Sequence, residues 1–69
     1  MESNFAIQLN GQPASVPSAS TIASLLQSHK LSPDKVAVEL NGRLVRSEAY
    51  GTALKPGDQL EIVTFVGGG

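Results

Sequence analysis

Two strand-length stretches in this chain run straight into Asn-Gly, and that arrangement narrows the fold more than any other feature. Phe5, Ile7 and Leu9 alternate with Ala6 and Gln8, then Asn10-Gly11 follows. Val36, Val38 and Leu40 alternate with Ala37 and Glu39, then Asn41-Gly42 follows. Period-two alternation marks a half-buried strand. Asn-Gly supplies the positive φ at both central residues of a tight hairpin turn. The chain should therefore carry two hairpins, with Ala14 and Val16 returning from the first and Leu44-Val45 from the second. Pro13 and Pro17 bracket the first return strand. Proline cannot donate to a ladder, so that strand belongs at a sheet edge.

Between the hairpins the period changes. Ile22, Leu25 and Leu26 stand at i, i+3 and i+4, with His29 at i+7, the stripe of a short helix over Thr21 to Gln27. Ser20 or Thr21 can cap its start, and Leu31-Ser32-Pro33-Asp34 should end it. Ser47 to Tyr50 reads as one helical turn with a Ser cap, and Lys55-Pro56-Gly57-Asp58 as a type II turn. A last strand then carries Leu60, Ile62 and Thr64 in one phase and Glu61, Val63 and Phe65 in the other. One helix must bury its stripe on one face of a mixed sheet, with the first and last strands central because they are the most regular and apolar. The expected architecture is α+β: a β-grasp (ubiquitin-like) fold, a mixed sheet of four to five strands wrapped around one helix. Its expected core is Phe5, Ile7, Leu9, Ile22, Leu25, Leu26, Val36, Val38, Leu40, Leu54, Leu60 and Ile62. The expected division is a globular domain over residues 1–66 and a flexible glycine tail over 67–69.

Composition excludes most chemistry inside such a domain. Sixty-nine residues make one thin-cored domain, too small for an enclosed active site. There is no cysteine, hence no disulfide, zinc ribbon or thiol nucleophile. A net charge of −1 argues against a general nucleic-acid binder. No apolar run reaches the roughly 20 residues of a membrane span. The start, MESNF, has neither a basic region nor an apolar one, so no secretory signal is expected and a cytoplasmic location is. His29 stands alone, without companions for a metal site, and is expected to cap or shield the helix end. The acids sit in turns or on polar strand phases, the serines lack a nucleophile elbow, and no phosphate-binding glycine motif occurs. The chain is therefore not expected to be an enzyme or to bind a cofactor or metal itself.

What remains is the surface and the end. Val63 and Phe65 fall on the phase opposite Leu60 and Ile62, and so are candidates for partner contact, with Val66 after them. Arg43, Arg46 and Lys55 are a solvated rim or a docking patch. Gly67, Gly68 and Gly69 follow the strand directly. A glycine tail is the thinnest chain available and can enter a channel that any Cβ would block. Its three residues reach about 10 Å. Ordering them costs about 3–6 kcal/mol, which docking of the globular body must offset. The Gly69 carboxylate is then the reactive group, and a partner must activate it because a carboxylate is a poor electrophile.

The run VAVELNGRLVRSEAY followed by LKPGDQLEIVTFVGGG resembles the sulfur carrier proteins of thiamin biosynthesis, and the likeness covers nearly the whole chain. The resemblance implies that Gly69 is adenylated by an E1-like enzyme using ATP and Mg. It implies conversion of Gly69 to a thiocarboxylate with sulfur from a cysteine desulfurase route, and delivery of that sulfur to thiazole synthase. Gly67 and Gly68 would form the tail, and the free carrier would be a monomer. Two other resemblances stay open: the small subunit of molybdopterin synthase, another β-grasp carrier ending in Gly-Gly, and TGS-type binding modules, which need no free diglycine end.

Overall fold

The computed structural model of the protein describes residues 3–65. Strand β1 (Asn4–Leu9) turns through Asn10-Gly11 into β2 (Gln12–Pro17), and helix α1 (Ile22–Ser28) follows. A 3-10 turn (Pro33–Lys35) leads into β3 (Val36–Leu40), which returns through Asn41-Gly42 as β4 (Arg43–Val45). A second 3-10 turn (Ser47–Ala49) precedes β5 (Gln59–Thr64). The five strands form one sheet in the order β2-β1-β5-β3-β4, antiparallel except for the parallel pair β1·β5. This is the mixed β-grasp sheet expected from the sequence, with the first and last strands adjacent at its centre and the proline-flanked β2 at an edge.

Both hairpin turns have positive φ at their two central residues, 52° and 81° at Asn10-Gly11 and 53° and 84° at Asn41-Gly42. The asparagine side chains do further work on β5. Asn10 Oδ1 accepts the Ile62 N–H at 2.8 Å, and Asn41 Oδ1 accepts the Gln59 N–H at 2.9 Å. Asn41 Nδ2 also donates to Asp58 Oδ1 at 3.1 Å, while Asp58 Oδ2 accepts the Lys55 N–H at 2.8 Å and closes the Lys55–Asp58 turn. Each hairpin is thus pinned to the central strand by its turn residue.

The four N–H groups that open α1 all find acceptors. Ile22 donates to the Thr52 carbonyl and Ala23 to the Tyr50 carbonyl. Ser24 donates to Thr21 Oγ1 at 3.0 Å, and Leu25 to the Thr21 carbonyl at 3.0 Å. Ser24 Oγ accepts the Thr21 N–H in return, which completes a reciprocal capping box. The helix ends sooner than Leu31–Asp34. His29 is its C-cap, and Lys30, at φ 59°, reverses the chain. The Lys30 N–H bonds the Gln27 carbonyl at 3.0 Å and the Leu31 N–H bonds the Leu26 carbonyl at 2.9 Å, the paired bonds of a Schellman end. His29 is exposed, so it does not extend the apolar stripe.

Glycine usually fills the position Lys30 occupies, because a Cβ in left-handed backbone is strained. Lys30→Gly should raise stability by about 0.5–1 kcal/mol, after allowing for the extra freedom glycine has when unfolded. For a domain of this size that is an increase of roughly 2–8 °C in Tm, readable by circular dichroism. A lower Tm would mean that the lysine side chain contributes more than its backbone costs.

The helix lies on one sheet face over Ile7, Val16, Val36, Val38 and Leu60, with Ile22, Leu25 and Leu26 pointing down. Phe5, Leu9, Leu40 and Ile62 are half-buried members of this layer rather than its centre, because a seven-residue helix does not cover the whole face. Val16 and Tyr50 are buried instead, beyond the core expected from the sequence. Tyr50 enters through the second 3-10 turn, whose cap position is Arg46 and has no side-chain bond, so Ser47 does not serve as the cap.

Candidate functional site

The uncovered sheet face is built by register. Leu60 is fully buried and Ile62 half-buried against the helix layer, so Glu61 and Val63 project from the other face. The Phe65 N–H donates to the Lys35 carbonyl at 2.8 Å, which carries the pairing with β3 one step past Thr64 and keeps Phe65 in phase with Val63. Val63 stands opposite Ala37, and Glu61 opposite Glu39. Glu39 in turn stands opposite Leu44 on β4. Leu44, Val63 and Phe65 are 68%, 61% and 56% exposed, the large apolar side chains left open among the described residues.

This face therefore has an apolar band with two carboxylates facing each other across one hydrogen-bonded pair. Like charges directly opposite in a sheet are destabilising. The arrangement is a poor one for the free protein and a good one for a surface that brings a basic group. Leu44 was not among the residues singled out from the sequence. The signal lay in the register: Val45 pairs with buried Val38, which forces its neighbour Leu44 outward.

The two arginines are placed differently. Arg43 pairs with Leu40, on the phase opposite Leu44, and so does not share a face with Val63 and Phe65. Arg46 lines an open groove of about 640 Å³ beside β4, together with Asp34, Leu44 and Tyr50. The Asp34 carboxyl is held below its ordinary range, first by the Ser32 hydroxyl that donates to it, then by its own backbone N–H and the Lys35 charge. It stays ionised at neutral pH, in the groove that Arg46 also lines. His29 is exposed at the far end of α1, where its backbone N–H bonds the Leu25 and Leu26 carbonyls at 3.2 Å each.

Among the described residues, no group of three or more His, Cys, Asp or Glu is placed to hold a metal ion. None of their helices is long and apolar enough to cross a membrane. Val66, Gly67, Gly68 and Gly69 lie outside the described residues.

Comparison with known proteins places this geometry. The crystal structure of the thiamine biosynthesis protein ThiS from Geobacter metallireducens superposes with a TM-score of 0.77 at 33% identity, over 94% of this chain and 100% of that one. A solution structure of a thiamine biosynthesis protein from the same organism gives a TM-score of 0.74 at 36% identity, over 94% and 88% of the two chains. The uncharacterized protein ycf40 of Pyropia yezoensis is 37% identical over the full length of this chain and 99% of its own. A thiazole synthase of Magnetococcus marinus is 42% identical over 64 residues, which span 91% of this chain and 20% of that much longer protein. The likeness supports a sulfur carrier role. With residues 7–69 matching the profile of the ThiS family, the chain belongs to that family.

Proposed function

We propose that this protein carries sulfur for assembly of the thiazole ring of thiamin, in the cytoplasm, with the Gly69 carboxylate as the loading site. The observation that carries this reading is the course of β5. The central strand of a ThiS-like sheet presents Val63 and Phe65 on the open face and leads directly into Val66-Gly67-Gly68-Gly69. In the proposed cycle an E1-like enzyme supplies the site for ATP and Mg. The Gly69 carboxylate attacks the α-phosphate, releasing pyrophosphate and leaving an acyl adenylate. The terminal sulfur of a persulfide formed by a cysteine desulfurase route then displaces AMP at the acyl carbon, and a thiol cleaves the resulting acyl disulfide, leaving a thiocarboxylate and a new disulfide. Thiazole synthase is the acceptor. The match between this chain and a segment of thiazole synthases supports that pairing, as does a second one, 39% identical, from Paramagnetospirillum magneticum. The family profile and both solved structures favour this branch over the molybdopterin and TGS-type alternatives.

The open face supplies the docking energy. Val63, Phe65 and Leu44 give apolar area, and the Glu39–Glu61 pair is complementary to a lysine or arginine of the enzyme. Arg46, in the groove it shares with Leu44, and Arg43, on the other phase of β4, form the rim, with Val66 continuing the contact. The test is an intact mass of the protein before and after incubation with an E1-like enzyme, ATP and a sulfur donor. The expected result is a gain equal to the exchange of one oxygen for one sulfur, mapped to Gly69. No gain with an enzyme that loads an authentic carrier would overturn the reading.

A second expectation separates docking from folding. Phe65→Ala removes a side chain that is more than half exposed, so Tm should move little, within roughly the 0.5 kcal/mol typical of surface changes. Affinity for the activating enzyme should fall by 1 kcal/mol or more, about fivefold or beyond, if Phe65 anchors the interface. Equal losses of stability and affinity would assign Phe65 to the core.

A further inference from the structure

We propose that the C-terminal half of β5 is an unfilled strand position, which an extended segment of the adenylating enzyme completes by adding a strand beside it. The inference rests on the carrier reading above and concerns how the enzyme grips the chain just before the tail. It comes from which way the backbone groups of β5 point.

In the antiparallel pair with β3, hydrogen-bonded and non-hydrogen-bonded pairs alternate. The bonds from Asn41 N–H to the Gln59 carbonyl and from Phe65 N–H to the Lys35 carbonyl fix that alternation at both ends. Residues 59, 61, 63 and 65 thus aim their backbone groups at β3, while Leu60, Ile62 and Thr64 aim theirs at the β1 side. On that side β1 pairs only as far as Leu9 with Leu60 and then turns away into β2. The Leu60 carbonyl accepts the Asn10 N–H at 2.8 Å, and the Ile62 N–H is taken by Asn10 Oδ1. Beyond that point the Ile62 carbonyl and both backbone groups of Thr64 face the lane that β1 has left. Thr64 is exposed, and a Cβ placed on Gly11 at the foot of the lane would meet nothing within 4 Å.

Three polar groups in a row at a strand edge are the template for strand addition. Asn10 shortens that edge without closing it. The occupant fits the position: an added strand here lies alongside the residues immediately before Val66 and aligns the tail with whatever site the strand belongs to. Main-chain bonds would give grip, and the flanking Val63 and Phe65 side chains would give selectivity.

The test replaces the Val63–Thr64 peptide bond by an ester, which removes the Thr64 N–H and keeps every side chain. Chemical ligation reaches this position in a 69-residue chain. The probes are the E1-like adenylating enzyme and the thiazole synthase of the same organism, each titrated separately. Tm should fall only slightly, because the Thr64 N–H makes no β3 bond and the Val63 carbonyl keeps its bond to β3, weakened as an ester acceptor. Affinity for the adenylating enzyme should fall roughly 3- to 10-fold, the loss of one main-chain hydrogen bond; a loss seen only with thiazole synthase overturns this assignment of the occupant. An ester at the Ala37-facing Val63 N–H deletes a β3 bond outright and should lower Tm by clearly more, confirming the alternation. As a second readout, the Thr64 amide should exchange rapidly in the free protein and become protected in the complex. Unchanged affinity, or a Thr64 amide that still exchanges rapidly when bound, overturns strand addition while leaving the carrier reading intact. Failure of the unmodified protein to bind either enzyme overturns the carrier reading and this proposal with it.

Discussion

A chain that stops at Gly67 is expected to melt like the full one and to take up no sulfur. The fold half of this expectation follows from where the core sits. Every buried hydrophobic side chain of the described residues lies between Ile7 and Leu60, and the two glycines removed carry no side chain to bury. The functional half follows from reach. Each residue spans about 3.3–3.6 Å, so losing two withdraws the carboxylate by roughly 7 Å. A misplacement of about 1 Å can already cost on the order of 100-fold in a reaction that depends on alignment. A chemically competent carboxylate remains at Gly67, but the docked body holds it far short of the adenylation site. Intact mass after incubation with the activating enzyme, ATP and sulfur donor checks it. Loading of the shortened chain at the full-length rate would show that the end is not read by position, and would remove the reason for a glycine stalk.

Leu26→Ala should come close to unfolding the protein. Leu26 is fully buried beneath α1, beside Ile22 and Leu25. Truncating a buried leucine costs about 2–5 kcal/mol, from lost transfer energy and the cavity left behind. A domain below 70–80 residues rarely has more than about 3–5 kcal/mol to lose. Tm should therefore fall by roughly 8 °C or more if the variant folds at all, since about 1 kcal/mol shifts a domain of this size by roughly 4–8 °C. Leu44→Ala makes the contrast. The same substitution at a side chain 68% exposed should change stability by no more than roughly 0.5 kcal/mol. Thermal melts of the two variants side by side check both. A small loss for Leu26→Ala would mean that the helix repacks over the gap.

The elements that could be read from residues alone are those whose signals are local. The alternation of Phe5, Ile7 and Leu9, the Asn-Gly turns, the Thr21 cap and the Lys55–Asp58 turn each depend on a handful of neighbouring residues, and all stand as expected. The departures depend on the rest of the sheet. Leu44 points outward only because Val45 takes the place opposite Val38, and a three-residue strand shows too little pattern to reveal that. Tyr50 is buried because the Tyr50 and Thr52 carbonyls dock onto the start of α1, a long-range bond that no spacing announces. The early end of α1 rests on a lysine in backbone that usually calls for glycine, where local preference points the other way. Of the candidate site, the strand phase of Val63 and Phe65 was legible; the acid pair between them and Leu44, and the open lane beside Thr64, arise only when β3, β4 and β1 are set against β5.

The place of β5 in the sheet also bears on the order in which the molecule assembles. The pairs β1·β2 and β3·β4 are local hairpins that can close within microseconds. Neither touches the other in the sheet, because β5 lies between them. The bond from Ile62 to Asn10 spans 52 positions of chain, so it pays its loop entropy before it returns anything. The final strand is thus a keystone, and its arrival is the step that commits the chain. The same strand bears Val63 and leads to Phe65 and the glycines. A partner that recognises the completed β5 face accordingly meets that face only on chains that have finished folding. Loading, on this reading, is an inspection as well as a reaction: misfolded copies have no assembled surface to offer and keep their unmodified ends.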